Sequence, residues 1–178
     1  MNWGECRQHD HRYFFVKLYL AGPDVFRPDA LRWAEHVRAL CRQKGHDALI
    51  PLDGMDADAP CIYRSNLGLI RDADAVLANL NPFRGAEPDS GTCVEIGYAL
   101  ALGKPVVGYA DTIRPLRERL KAKGPGADGS YRDDDGWRVE NFGLALNLML
   151  AVPVQLKQGG IEAALRALSE TSGGRVPA

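Results

Sequence analysis

The chain has no excess of either charge. Its 178 residues hold 22 Lys and Arg against 23 Asp and Glu, and the basic residues are scattered rather than gathered into a strip. That distribution argues against a nucleic-acid partner, whose phosphates need a basic face. The four cysteines, Cys6, Cys41, Cys61 and Cys93, include no C-x-x-C pair, so neither a zinc cluster nor a disulfide framework is indicated. They read as reduced thiols. The opening MNWGECRQHDHRYFF puts charge and histidine where a signal peptide needs an apolar core, and no apolar run reaches the length of a membrane span. The expectation is a cytoplasmic protein with no membrane partner.

Histidine is scarce, four residues in all, and the pair His9 and His11 around Asp10 lacks further metal ligands and reads as a solvated leader. His36 and His46 read as surface or packing residues. Several signature loops are missing as well. No G-x-G-x-x-G follows the first strand, no G-x-x-x-x-G-K-[ST] is present, and no G-x-S-x-G elbow occurs. These absences leave no bound cofactor and no metal in the expectation.

What the chain does contain is a regular alternation. FFVKLYLAG, residues 14–22, is rich in β-branched and aromatic residues and stops at Gly-Pro, as a buried strand does. Residues 28–44 place Leu31, Ala34, Val37 and Leu40 at helical spacing, with Pro28 in the first turn and Gly45 just beyond the end. Strands are expected at 47–53, 73–80 and 104–110, with helices at 61–71 and 92–102 between them. Short connections in a β-α-β-α order predict an α/β fold: one doubly wound parallel sheet, flavodoxin-like or Rossmann-like, of about five strands flanked by helices. Beyond it, residues 114–123 form a short charged helix and the Gly- and Asp-rich stretch to Trp137 an exposed loop. Residues 144–150 read as an apolar helix interrupted by Asn147, and residues 161–168 as a final amphipathic helix. The domain is expected to span residues 13–170, between a leader (1–12) and a frayed tail (171–178).

Ligands of open α/β sheets bind beyond the carboxyl ends of the strands. The loops there carry Asp24, Asp53, Asp56, Asp58, Arg84, Glu87 and Asp89, with Glu95 one turn into the third helix. Carboxylates suit one chemistry well, the stabilisation or capture of an oxocarbenium-like sugar carbon as a leaving group departs. Glu95 itself has two readings: Thr92 followed by Glu95 is the spacing of a capping box, and an apolar helix near the sheet mouth is where a catalytic carboxylate would stand.

Four stretches together resemble the nucleoside 2-deoxyribosyltransferases: KLYLAGP (17–23), YRSNLGLIRDADAVLANLNPFRG (63–85), PDSGTCVEIGYALALGKPV (88–106) and NFGLALNLML (141–150). The resemblance covers most of the chain and implies transfer of 2-deoxyribose between purine and pyrimidine bases, with deoxynucleosides and free nucleobases as the partners. It makes Glu95 the nucleophile and Tyr19 the group that orients it. Asp89, and Asn147 from a neighbouring subunit of a homo-oligomer, match residues that hold the sugar hydroxyls. Gly22 matches backbone lying close to the sugar. Some members carry an aspartate where this chain has Asn66, which can hydrogen-bond a base but cannot protonate it. Asp53, Asp72, Asp74 or solvent then remain as proton sources, with Asp53 and Asn66 placed in the substrate site. Related deoxynucleoside 5′-monophosphate hydrolases have serine in place of Asp89, and an aspartate there disfavours a phosphate dianion. A hydrolase on the same scaffold and a non-catalytic nucleotide-sensing module are the competing readings.

Overall fold

A computed structural model describes residues 16–52 and 58–171. The expected leader, residues 172–178 of the expected tail, and Asp53 lie outside the described residues. Five strands form one parallel sheet: β1 (Val16–Ala21), β2 (His46–Leu49), β3 (Ala75–Asn79), β4 (Val106–Ala110) and, after a short antiparallel hairpin of β5 (Tyr131–Arg132) and β6 (Arg138–Val139), β7 (Gln155–Gln158). The spatial order β2-β1-β3-β4-β7 is that of the flavodoxin-like doubly wound sheet. Every neighbouring pair in it is parallel.

Alternation along β1 sets the two layers. Leu18 and Leu20 face one side and pack with Val37 and Cys41 of α1 (Ala30–Gln43) and Leu165 of α6 (Ile161–Thr171). Tyr19 and Ala21 face the other side, against Ile70 of α2 (Ala59–Asp72) and Ile96 of α3 (Ser90–Ala101). With both faces covered, the central strands are apolar nearly throughout, the usual pattern of a parallel sheet. His46 is the first residue of β2, buried, and its ring nitrogens have no hydrogen-bond partner among the described residues. Burial lowers its pKa below the ordinary histidine value.

Two expectations are corrected on the C-terminal side. The Asp-rich stretch is not a featureless loop: Asp133 Oδ1 accepts from the Asp135 and Trp137 amides and so forms the turn between β5 and β6. The apolar helix expected at 144–150 is a single turn, α5 (Leu148–Ala151), and Asn147 precedes it as its N-cap, with Oδ1 accepting from Met149 N at 3.0 Å. The short charged helix is present as α4 (Leu116–Arg119).

Candidate active site

α3 starts earlier than its sequence suggests, and the reason bears on the site. Asp89 is its N-cap; Oδ2 accepts from Thr92 N at 2.9 Å and from Thr92 Oγ1 at 3.1 Å. The capping role that Thr92 and Glu95 were expected to share therefore belongs to Asp89. Glu95 is released from the helix terminus, and its Oε1 accepts instead from the Tyr19 hydroxyl at 2.6 Å. Tyr19 is fully buried in the sheet, so a rigid strand holds the donor and a helix holds the acceptor. Residues two apart on a helix point about 200° apart. Glu95 consequently faces away from Cys93 and Gly97, toward β1.

Burial raises the Glu95 carboxyl from its ordinary value to about 7; the Tyr19 hydrogen bond opposes that shift and the nearby Asp89 charge adds to it. The Tyr19 phenol is pushed well above its ordinary value, first by burial and then by Glu95. A half-buried carboxyl of this kind, about half ionised at pH 7 and held by the Tyr19 hydroxyl, is suited in its ionised form to attack at carbon. Replacing Tyr19 with Phe removes the bond that favours the ionised form. The acid limb of the activity profile should then move to higher pH, with a fall of about tenfold or more in rate, the usual worth of a hydrogen bond to a charged group. An unshifted pH–rate profile for the Phe variant would remove Tyr19 from the machinery.

Other candidate residues fall into place unevenly. Gly22 directly follows β1, and a Cβ on it would lie 2.8 Å from Asn79 Cβ, so only glycine lets the first loop approach β3 this closely. Asn66 lies on α2 one turn before Ile70, which packs in the same cluster as Tyr19, so it belongs to the Glu95 side of the sheet. Asp74 does not: its Oδ2 accepts from Lys17 N at 2.7 Å, at the amino end of β1, and Asp72 ends α2 at that same edge. Neither can protonate a base bound at the carboxyl edge. Asn147 does not line a site with its own chain's Glu95. It is exposed, donates to Glu140 Oε1 at 2.7 Å, and lines a cavity of about 730 Å³ together with Cys93 and Gly97, on the opposite flank of α3.

The sequence model of the nucleoside 2-deoxyribosyltransferase family matches residues 18–149. The chain belongs to the nucleoside 2-deoxyribosyltransferase family. A 2-deoxyribosyltransferase structure from Leishmania mexicana superimposes with a TM-score of 0.75 at 39% identity, covering 87% of this chain and 97% of that one. An uncharacterised protein of Schizosaccharomyces pombe is 31% identical over 165 residues, 80% of this chain and 78% of its own length. A CMP N-glycosidase from Clostridium botulinum aligns at 16% identity with a TM-score of 0.48, over 87% of this chain and 98% of that one.

In this deoxyribosyltransferase-family chain, two polar assemblies brace the site that the sequence did not announce. One runs along the carboxyl edge. Asn79 Nδ2 donates to the buried Asp24 at 2.7 Å, Asn79 Oδ1 accepts from the Asn81 side chain and amide, and Asn81 Oδ1 accepts from Asp111 N. Asparagines directly after the apolar part of β3 were the available signal. The other is Arg119, whose guanidinium donates to Ala86 O at 2.8 Å and Ala145 O at 2.7 Å, tying the loop before Asp89 to the segment before Asn147. Nothing in its spacing distinguished Arg119 from the other arginines nearby. Among the described residues, no group of three or more His, Cys, Asp or Glu is placed to hold a metal ion, and no helix is long and apolar enough to cross a membrane.

Proposed function

We propose that this protein transfers 2-deoxyribose between purine and pyrimidine bases through a covalent glycosyl-Glu95 intermediate. The observation that carries the reading is the 2.6 Å hydrogen bond from a buried tyrosine to a half-buried glutamate at the carboxyl edge of the sheet. A Glu95 oxygen attacks C1′ as the C–N bond breaks, and the base leaves with the bonding electrons, taking a proton from solvent or Asp53. A nitrogen of the second base then attacks C1′ from the opposite face, displaces Glu95 and loses its proton. Two inversions give retention. A base held in the leaving-group pocket has a high effective concentration, so it outruns water when it is saturating. Asp89 supports unphosphorylated substrates, because its charge opposes a phosphate dianion and its free oxygen suits a 5′-hydroxyl. The reading assigns the protein to nucleoside salvage in the cytoplasm.

The test is incubation with deoxyinosine and cytosine, followed by chromatography. Deoxycytidine is the expected product. Release of free deoxyribose without deoxycytidine would make it a hydrolase, and no reaction at all would favour a sensing module.

The active unit in this reading is a homo-oligomer in which Asn147 completes a neighbour's site. Support comes from the position of Asn147 on the far flank of α3 and from the exposed apolar side chains Val94, Met149 and Val152. Mixing inactive Glu95→Ala and Asn147→Ala subunits should restore part of the activity through hybrid sites. An active monomer in sedimentation at assay concentration would sink the arrangement.

A further inference from the structure

We propose that Thr92 is a positioning residue that aims Asp89 and so sets a requirement for a free 5′-hydroxyl on the nucleoside. The proposal rests on the deoxynucleoside reading above and extends it to a residue that acts on the sugar only through Asp89.

Thr92 is 1% exposed, yet its hydroxyl is not idle. Its amide and its Oγ1 both donate to Asp89 Oδ2, at 2.9 and 3.1 Å. Capping α3 requires only the amide, because an N-cap oxygen needs to satisfy one free N–H of the first turn. The hydroxyl is surplus to that task, and a buried apolar side chain of the same shape would avoid the cost of desolvating it. What the second bond adds is direction. Two donors from one residue converge on one carboxylate oxygen, which fixes the rotation of the carboxylate and leaves Oδ1 as the acceptor presented to a ligand. Gly91 keeps that geometry open, since a Cβ there would lie 3.0 Å from the same Oδ2. Thr92 donates its only hydroxyl proton inward, so of this pair it is Asp89 that meets the ligand, and a carboxylate oxygen can only accept. A 5′-hydroxyl supplies the proton this acceptor needs, whereas a 5′-deoxy sugar supplies none.

The decisive comparison uses wild type, Thr92→Val and Thr92→Ser, each assayed for kcat and KM on a 2′-deoxynucleoside and on its 2′,5′-dideoxy analogue. Calorimetric binding of both compounds is measured in a Glu95→Gln background, and thermal unfolding confirms that each variant folds. Thr92→Val should raise KM for the 2′-deoxynucleoside about tenfold with little change in kcat, while leaving the dideoxy analogue unaffected. Thr92→Ser should restore KM to within about twofold of wild type, since it keeps the donor. Equal losses on both compounds would mean a purely structural residue and would overturn the proposal, as would a Val variant identical to wild type. If no turnover occurs but calorimetry separates the two ligands and Thr92→Val erases the separation, Thr92 keeps its role and the transfer reading falls. Failure of the Thr92-intact protein to separate them in either readout overturns the role of Thr92.

Discussion

Glu95→Gln is expected to lower deoxyribosyl transfer by at least about a thousandfold, equivalent to roughly 4 kcal/mol of barrier, while making the protein harder to unfold at alkaline pH. Both outcomes come from the same carboxyl. Glutamine can still accept from Tyr19 but cannot form a glycosyl ester that a second base displaces. As for stability, the folded-state pKa is raised to about 7 by burial, against an ordinary 4.5. Between those values the unfolded chain gives up a proton that the folded chain keeps, so the stability tied to this group is complete below about 4.5 and is lost as pH rises through 7. The loss is on the order of 3 kcal/mol at most. Glutamine never ionises and escapes it. Melting curves should therefore show the variant gaining on wild type between pH 4.5 and 8, and wild-type activity should climb through the same region as Glu95 ionises. A Glu95→Gln protein with more than a hundredth of wild-type turnover would exclude the nucleophile, and an alkaline stability no different from wild type would exclude the buried, strained ionisation.

Gly22→Ala should be costly in another way. Its Cβ would stand 2.8 Å from Asn79 Cβ, and neither atom can swing aside without moving backbone. Overpacking of this kind costs about 1–3 kcal/mol, and the positive φ of 156° adds to it. A melting temperature lower by roughly 5–10 °C is expected for a domain of this size. The displacement also reaches the site, because Asn79 holds Asp24 and Asn81, so turnover should fall beyond what unfolding explains. Gly103→Ala is the control: it also has a left-handed φ, of 70°, but nothing lies within 4 Å of its Cβ, so a cost nearer 1 kcal/mol is expected. Equal costs for the two substitutions would refute the close-approach argument.

Much of this arrangement is legible in the sequence. The apolar runs of β1, β3 and β4 announce buried strands, and the glycine and proline after β1 mark where the chain turns over the site. β7 was missed because Gln155–Gln158 is a short strand at the sheet's edge, polar and half exposed, with no apolar run to reveal it. The cap of α3 was misassigned because two overlapping frames have the same spacing: Thr92 to Glu95 and Asp89 to Thr92 are both three residues apart. Spacing cannot choose between them; the Tyr19 hydroxyl can, by drawing Glu95 away. Asn147 was placed within a helix because its neighbours are apolar, although asparagine is among the strongest N-cap residues and the structure uses it so. Asp72 and Asp74 were separable from the site in principle, since residues that precede a strand in a parallel sheet lie at the edge opposite its ligands.

In the proposed function Asp89 does double service, closing α3 while facing the substrate, and that limits how this position can change over evolutionary time. A residue chosen only for its ligand could be almost anything polar. Here it must also terminate the helix that presents Glu95, which confines the tolerated alphabet to aspartate, serine, asparagine and threonine, with alanine losing about 1 kcal/mol. Serine, the residue of the related 5′-monophosphate hydrolases, is within that alphabet. A lineage can therefore pass from excluding a phosphate to admitting one in a single substitution without fraying the helix. Substrate preference at this position has few settings, and each is reachable without a compensating mutation elsewhere.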